Sequence, residues 1–409
     1  MTARLAPPVD LTVPRPGSTT LRDVLSAALS RLLGEIGALR SDDRVEQAAL
    51  RSLVHARSRD PRALGPLVAA LRRPTVGTLA RCLRTAAPGA APALRRRFLA
   101  TLAVELAALG ALDEPVTVPA PPERMLSLAG RFAIAAPVGA TAVTVARDAA
   151  VFDTPAGAVR VGFTGAERPY HPLPDGPIVL ALADDNPLAM FELHPDKSGN
   201  AIDLGGRPVD DWTRALGDAL AIVREALPDL HREIELVVHQ FVPVGFDPER
   251  HLSASYQEAL GTVYLTLHPR PMVMAEAIVH EASHNKLNAL FERDPVLDNA
   301  FTSLHASPVR PDPRPLHGIL LAVHAFVPVE RMYERLIAAG HPLVNDAFRA
   351  RYQAIRDKNR RGAAVLLTEG EPSALGRGVV GEIAEAVGMT ADAARDLLSA
   401  DPGPLDASD

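Results

Sequence analysis

Residues 261 to 291 read GTVYLTLHPRPMVMAEAIVHEASHNKLNALF. Two periodicities meet in this stretch. Gly261 to Leu267 alternates β-branched and apolar residues, which predicts a strand. Met272 to Phe291 predicts a helix: Pro271 sits where a first-turn proline is tolerated, and the next helix breaker is Pro295. Val273, Ile278, Val279, Ala282, Leu287, Leu290 and Phe291 give that helix a broad apolar surface, so burial is expected. Inside it lies His280-Glu281-Ala282-Ser283-His284, an HExxH motif. Positions i and i+4 share one helix face, so two imidazoles there can chelate a single metal ion with the glutamate beside them. Two histidines, a glutamate and Asn285 on a buried helix need polar partners, and metal ligation supplies them. Hydrogen bonding inside a core is the competing reading.

A catalytic metal site needs a third protein ligand and an open position. The metzincin pattern HExxHxxGxxH is excluded, because positions 287 and 290 are both leucine. No His or Cys lies close downstream, so the third ligand must come from another element. The helical stretch Leu316 to Ala339, expected to kink or break near Pro328, carries His317, His324, Glu330 and Glu334. His324 lies within the apolar run Ile319 to Val329 and needs a partner there. It is the leading candidate, with Glu330 and His317 as alternatives; a core histidine bonded to backbone is the plainer reading. Between the two helices, Ser307 to Pro315 ends with three prolines in five residues, which predicts a stiff irregular loop. Arg310 and Arg314 on that loop suit bidentate recognition of a carboxylate, unless they are simply solvated. The order of strand, short loop and buried HExxH helix is that of zincin-like folds. By analogy, an edge strand beside the metal helix would pair with an extended peptide.

The 409 residues are long enough for two or three domains. With 43 Lys and Arg against 49 Asp and Glu, the net charge of −6 argues against a general nucleic-acid binder. The single cysteine, Cys82, excludes an internal disulfide and a cysteine-based zinc cluster. No apolar run reaches the roughly 18 residues of a membrane span. Met1 to Pro16 is proline-rich without a signal-peptide core, so the cytoplasm is the expected location.

The expected fold class is α+β. Residues 17–112 read as an all-helical region, for peptide or partner binding or as a scaffold, with helices over 21–39, 45–56, 64–71, 76–86 and 93–109. Residues 113–270 read as a β-rich α+β region. It has strand-like runs at Ala140 to Ala146, Ala158 to Phe163, Ile178 to Leu182 and Ala189 to Leu193, a helix over Val209 to Ala226 and a strand over Ile234 to Val244. Residues 271–400 are the helical metal-site region, and 401–409 a disordered tail. Gly381 to Leu398 has the pattern of a helix-turn-helix turning at Gly388. Its second helix offers Thr390, Asp392 and Asp396 where a DNA reader would carry basic or amide side chains, so a packed hairpin is expected instead.

The stretch from about 261 to 339 resembles a family known as HEXXH-motif peptide-modification proteins, which accompany ribosomally synthesised, post-translationally modified peptides. The resemblance is carried by Gly261-Thr262-Val263-Tyr264, by the run Ala277 to Asn288, by Arg310-Pro311-Asp312-Pro313-Arg314-Pro315-Leu316, and by Gly318 through His324-Ala325-Phe326. Pro74-Thr75-Val76-Gly77 with Cys82-Leu83 is similar too, so most of the chain is covered, most strongly its last third. The resemblance implies an iron(II)- and 2-oxoglutarate-dependent β-hydroxylase of peptide side chains. His280 and His284 would bind Fe(II), a third ligand would come from the following helix, and Arg310 or Arg314 would hold the 2-oxoglutarate carboxylate. The commonest site of such oxygenases is two His and one carboxylate, so His324 as third ligand would be a departure. Val309 stands where the family has an aromatic residue.

Two enzymatic readings follow. In a zinc metallopeptidase, Glu281 is the general base that takes the proton of the attacking water. In an oxygenase, Glu281 supports the site from behind the ligands, and the cofactors perform the chemistry. The stiff arginine loop favours the oxygenase. The expected partner is a precursor peptide, with no nucleic acid and no membrane; a homo-oligomer is compatible with the sequence.

Overall fold

A computed structural model describes residues 9–191, 199–309 and 312–400. The tail expected at 401–409 lies outside the described residues. The architecture is mixed α and β, and no helix among the described residues is long and apolar enough to cross a membrane. The chain divides into two compact units. One comprises residues 29–214 and 238–268; the other takes the residues up to 28, 215–237 and those from 269 onward.

In the first unit, helices Arg44–Leu50, Pro61–Arg72, Pro74–Cys82 and Ala91–Ala108 start as their sequences dictate. The Asp43 carboxylate accepts from the amides of Val45 and Glu46, the Asp60 carboxylate accepts from Arg62, and Pro61 and Pro74 occupy first turns. Leu53, Leu71, Phe98 and Leu102 share one buried core with Val118, Val143 and Phe152 of a four-stranded antiparallel sheet. A second sheet has the order Ser253–Ala254, Thr262–Leu267, Gln240–Phe246, Val179–Ala181, Tyr170–Pro172. Its three inner strands are parallel and its outer two antiparallel. All six residues of Thr262–Leu267 are buried, as expected for a strand covered on both faces.

Thr262–Leu267 is not an edge strand: Gln240–Phe246 pairs with it on one side and the two-residue strand Ser253–Ala254 on the other. The strand expected over Ile234 to Val244 is split between a helix, Pro228–Val237, and a strand, Gln240–Phe246. Leu230, Ile234 and Val237 are buried at helical spacing, and the apolar residues at 234 and 237–238 fit either period. Ala189 and Met190 lie in a turn rather than a strand, and most of the remaining run falls outside the described residues.

The second unit is helical. It holds Pro228–Val237, Pro271–Phe291, Leu316–Ala338, Asp346–Glu369, Ala374–Ala386 and Ala391–Ala400, with a small hairpin pairing Leu304–His305 to Arg314–Pro315. The HExxH helix, Pro271–Phe291, packs against the return helix, Leu316–Ala338. Of the kink or break expected near Pro328, the break does not occur: the return helix continues through that residue. Gly362 brings Asp346–Glu369 close to it, because an added Cβ would sit 2.2 Å from Cγ2 of Val323. The C-terminal hairpin turns at Gly388, whose φ of 61° suits glycine.

Candidate metal centre

Between Ala277 and Leu290 every residue of the HExxH helix is buried except His280 and His284. The helix is apolar around most of its circumference, so it is largely enclosed, and within this span only these two residues are partly exposed. Their Nε2 atoms stand 2.9 Å apart with ring planes at 89°. At this separation either one ring donates to the other, or both present lone pairs to one cation. Two donors at about 2.1 Å from a common metal lie roughly 3.0 Å apart in an octahedral site and 3.4 Å apart in a tetrahedral one. The pair therefore fits a shared divalent ion. The Glu281 carboxylate joins the cluster: its ligand atom and those of the two rings lie within 4.8 Å of one another. It is the only such group of three among the described residues. Phe326 of the return helix stands edge-on to His280, with centroids 4.6 Å apart.

Electrostatics prepares His284 to ligate. Burial pushes the pKa of His284 down to about 4; His280 adds to the shift and Glu281 opposes it. A neutral imidazole keeps the lone pair that a metal needs.

The other candidates separate. His324 is fully buried and its Nε2 donates to the carbonyl of Leu11 at 2.9 Å. It does not join the cluster of His280, Glu281 and His284, so the structure places it as a backbone-bonded core histidine. Its pKa is pushed down to about 3, chiefly by burial, with the Leu11 carbonyl opposing. His317 is stacked between Phe291 and Phe301, at 5.0 and 4.8 Å, and is held below its ordinary pKa by burial and then by His284. Glu330 accepts from Asn359 at 2.8 Å, and burial raises its pKa. Arg310 lies outside the described residues. Arg314 pairs with Asp312 at 2.9 Å, and its aliphatic stem lies over Gly318 in the first turn of the return helix, one residue from His317.

Sequence reasoning missed Lys286. It is two residues past His284 and only 2% exposed. Its Nζ donates to Glu233 at 2.8 Å and to the carbonyls of Asp10 and Thr12 at 2.7 and 3.2 Å. A lysine inside an otherwise buried helix was the available signal.

His324 makes a prediction about pH. Its pKa is depressed on folding, so the unfolded chain binds the extra proton as pH falls below about 6.5. The stability that the buried ring requires is present above that value and lost towards pH 3. His324→Gln cannot titrate, so its stability relative to the parent should improve between pH 7 and 4.5. Urea denaturation of both proteins at the two pH values checks this. A relative stability that worsens on acidification contradicts it.

No protein-family model matches the chain, and comparison with curated proteins returns no match.

Proposed function

We propose that the protein is an iron(II)- and 2-oxoglutarate-dependent hydroxylase acting on side chains of a ribosomally made precursor peptide in the cytoplasm. The observation that carries the proposal is the partly open His280–His284 pair, 2.9 Å apart on an otherwise enclosed helix, with the Glu281 carboxylate alongside. Two imidazoles on one helix face supply the histidine part of the donor set typical of non-haem iron oxygenases, and Glu281 supports them from behind the ligands. His280 and His284 hold the ion through Nε2. Arg314 is the described residue suited to a dicarboxylate: its exposed partner Asp312 forms a weak surface pair that a better-placed carboxylate can replace. Phe326, beside His280, shields the site from water. When bound, iron and 2-oxoglutarate supply the O2-dependent hydroxylation of a C–H bond; the chain binds, orients and encloses.

One observation favours a second reading. The buried Glu281 carboxylate beside the pair is also where a zinc peptidase keeps its general base. Glu281→Gln separates the two: it should stop hydrolysis outright but only impair hydroxylation. The direct test incubates protein, peptide, Fe(II) and 2-oxoglutarate without oxygen and then admits O2. Succinate and a peptide heavier by one oxygen atom are expected. Peptide cleavage with zinc alone, indifferent to 2-oxoglutarate, contradicts the proposal.

A further inference from the structure

Three successive backbone carbonyls near the N-terminus are captured by buried side chains of the two helices that build the candidate metal centre. Lys286 of the HExxH helix donates to Asp10 and Thr12, and His324 of the return helix donates to Leu11 between them. Thr12 is also held from the other side, its amide and hydroxyl both donating to Glu382 at 2.9 and 3.0 Å. Asp10 has a φ of 64°, a conformation that costs energy in a non-glycine residue, and its carboxylate accepts from Arg15 at 2.6 Å. Asp10, Leu11 and Thr12 are 8%, 0% and 4% exposed. Ordering an irregular segment costs about 1–2 kcal/mol of entropy per residue. This one is tied down by donors chosen from both helices.

The donors are costly ones. Well-packed apolar residues often match the stability of a buried Lys–Glu pair such as Lys286–Glu233, and the best-attested use of such pairs is to specify one arrangement over others. Here the arrangement is the azimuth of the HExxH helix. A rotation of about 20° about a helix axis carries a side-chain tip by roughly 2 Å, enough to separate two converging ring nitrogens.

We infer that residues 9–13 form a strap that sets the HExxH helix against the return helix, with Lys286 and His324 as positioning residues for His280 and His284. The inference rests on the reading of those two histidines as a metal pair. It assigns His324 to geometry rather than ligation, and it makes the N-terminal segment part of the centre.

The test uses the full chain carrying His324→Leu or His324→Gln. The glutamine amide can replace the Nε2–H donor to Leu11 but is a poor metal ligand. Two readouts are taken: Co(II) affinity, and amide hydrogen exchange across residues 277–290 without metal. His324→Leu should weaken Co(II) binding about ten- to a hundredfold, the range found when supporting residues around a metal site are lost, and should speed exchange about tenfold or more. His324→Gln should stay within about threefold of the parent in both. Parent-like Co(II) affinity in His324→Leu overturns the inference. So does loss of binding in His324→Gln with unchanged exchange, which would make His324 a ligand. If His324→Leu does not fold, exchange at residues 9–13 of the parent decides: coupling is reciprocal, so Co(II) must slow it, and unchanged exchange overturns the strap. A parent that binds no Co(II) defeats the metal reading instead, and the exchange comparison still decides whether the strap holds the helix.

Discussion

Replacing His280 or His284 by alanine is expected to lower the affinity for a divalent ion by about one hundred- to several hundredfold. Binding of about 10–16 kcal/mol in a structural site, shared among four ligands, assigns about 2.5–4 kcal/mol to each, and 1.4 kcal/mol is a factor of ten. The loss should be specific. Both residues are partly exposed, so truncation empties no sealed cavity, and alanine is the best helix former. Helix content should therefore be retained while Co(II) or Fe(II) stoichiometry falls from one to near zero at micromolar concentrations. Unchanged stoichiometry in either variant would place the ion elsewhere.

Lys286→Met should have the largest effect on stability. The ammonium is 3% exposed in its side chain and Glu233 is 10% exposed. Removing it leaves a buried carboxylate without its cation and two strap carbonyls without their donor. Breaking one side of a buried pair costs about 3–5 kcal/mol. Adding Glu233→Met should recover much of that loss, because two apolar side chains replace the ion pair, but it returns no donor to Asp10 or Thr12. The double variant is thus expected to regain stability in urea denaturation without regaining metal affinity. Recovery of both would show that the strap has no part in the centre.

The histidine pair was legible because it is local. The i, i+4 spacing, Pro271 at the helix start and the apolar surface from Val273 to Phe291 all lie within one segment. Gly388 marked the C-terminal turn for the same reason. What could not be read depends on distant partners. Lys286 meets Glu233 across 53 positions and Asp10 across 276, and nothing near any of them in sequence announces the others. His324 was recognisable as a buried histidine needing a partner, but a metal and a backbone carbonyl satisfy that need equally well in sequence. Only the fold brings Leu11 to it. The status of Thr262–Leu267 turned on Ser253–Ala254, two residues too short to carry a strand signal. Ile234 and Val237–Val238 fit helix and strand periods alike, and burial at helical spacing decided the outcome.

His280 and His284 are proposed to hold an iron ion at which 2-oxoglutarate binds. Anomalous diffraction from crystals grown anaerobically with Fe(II) and 2-oxoglutarate tests it most directly. A peak above the iron edge, absent below it, is expected within bonding distance of Nε2 of both histidines, with the dicarboxylate beside it and an arginine of the 310–314 loop on its distal carboxylate. A peak at the zinc edge alone, or an iron peak that touches neither ring, would contradict it.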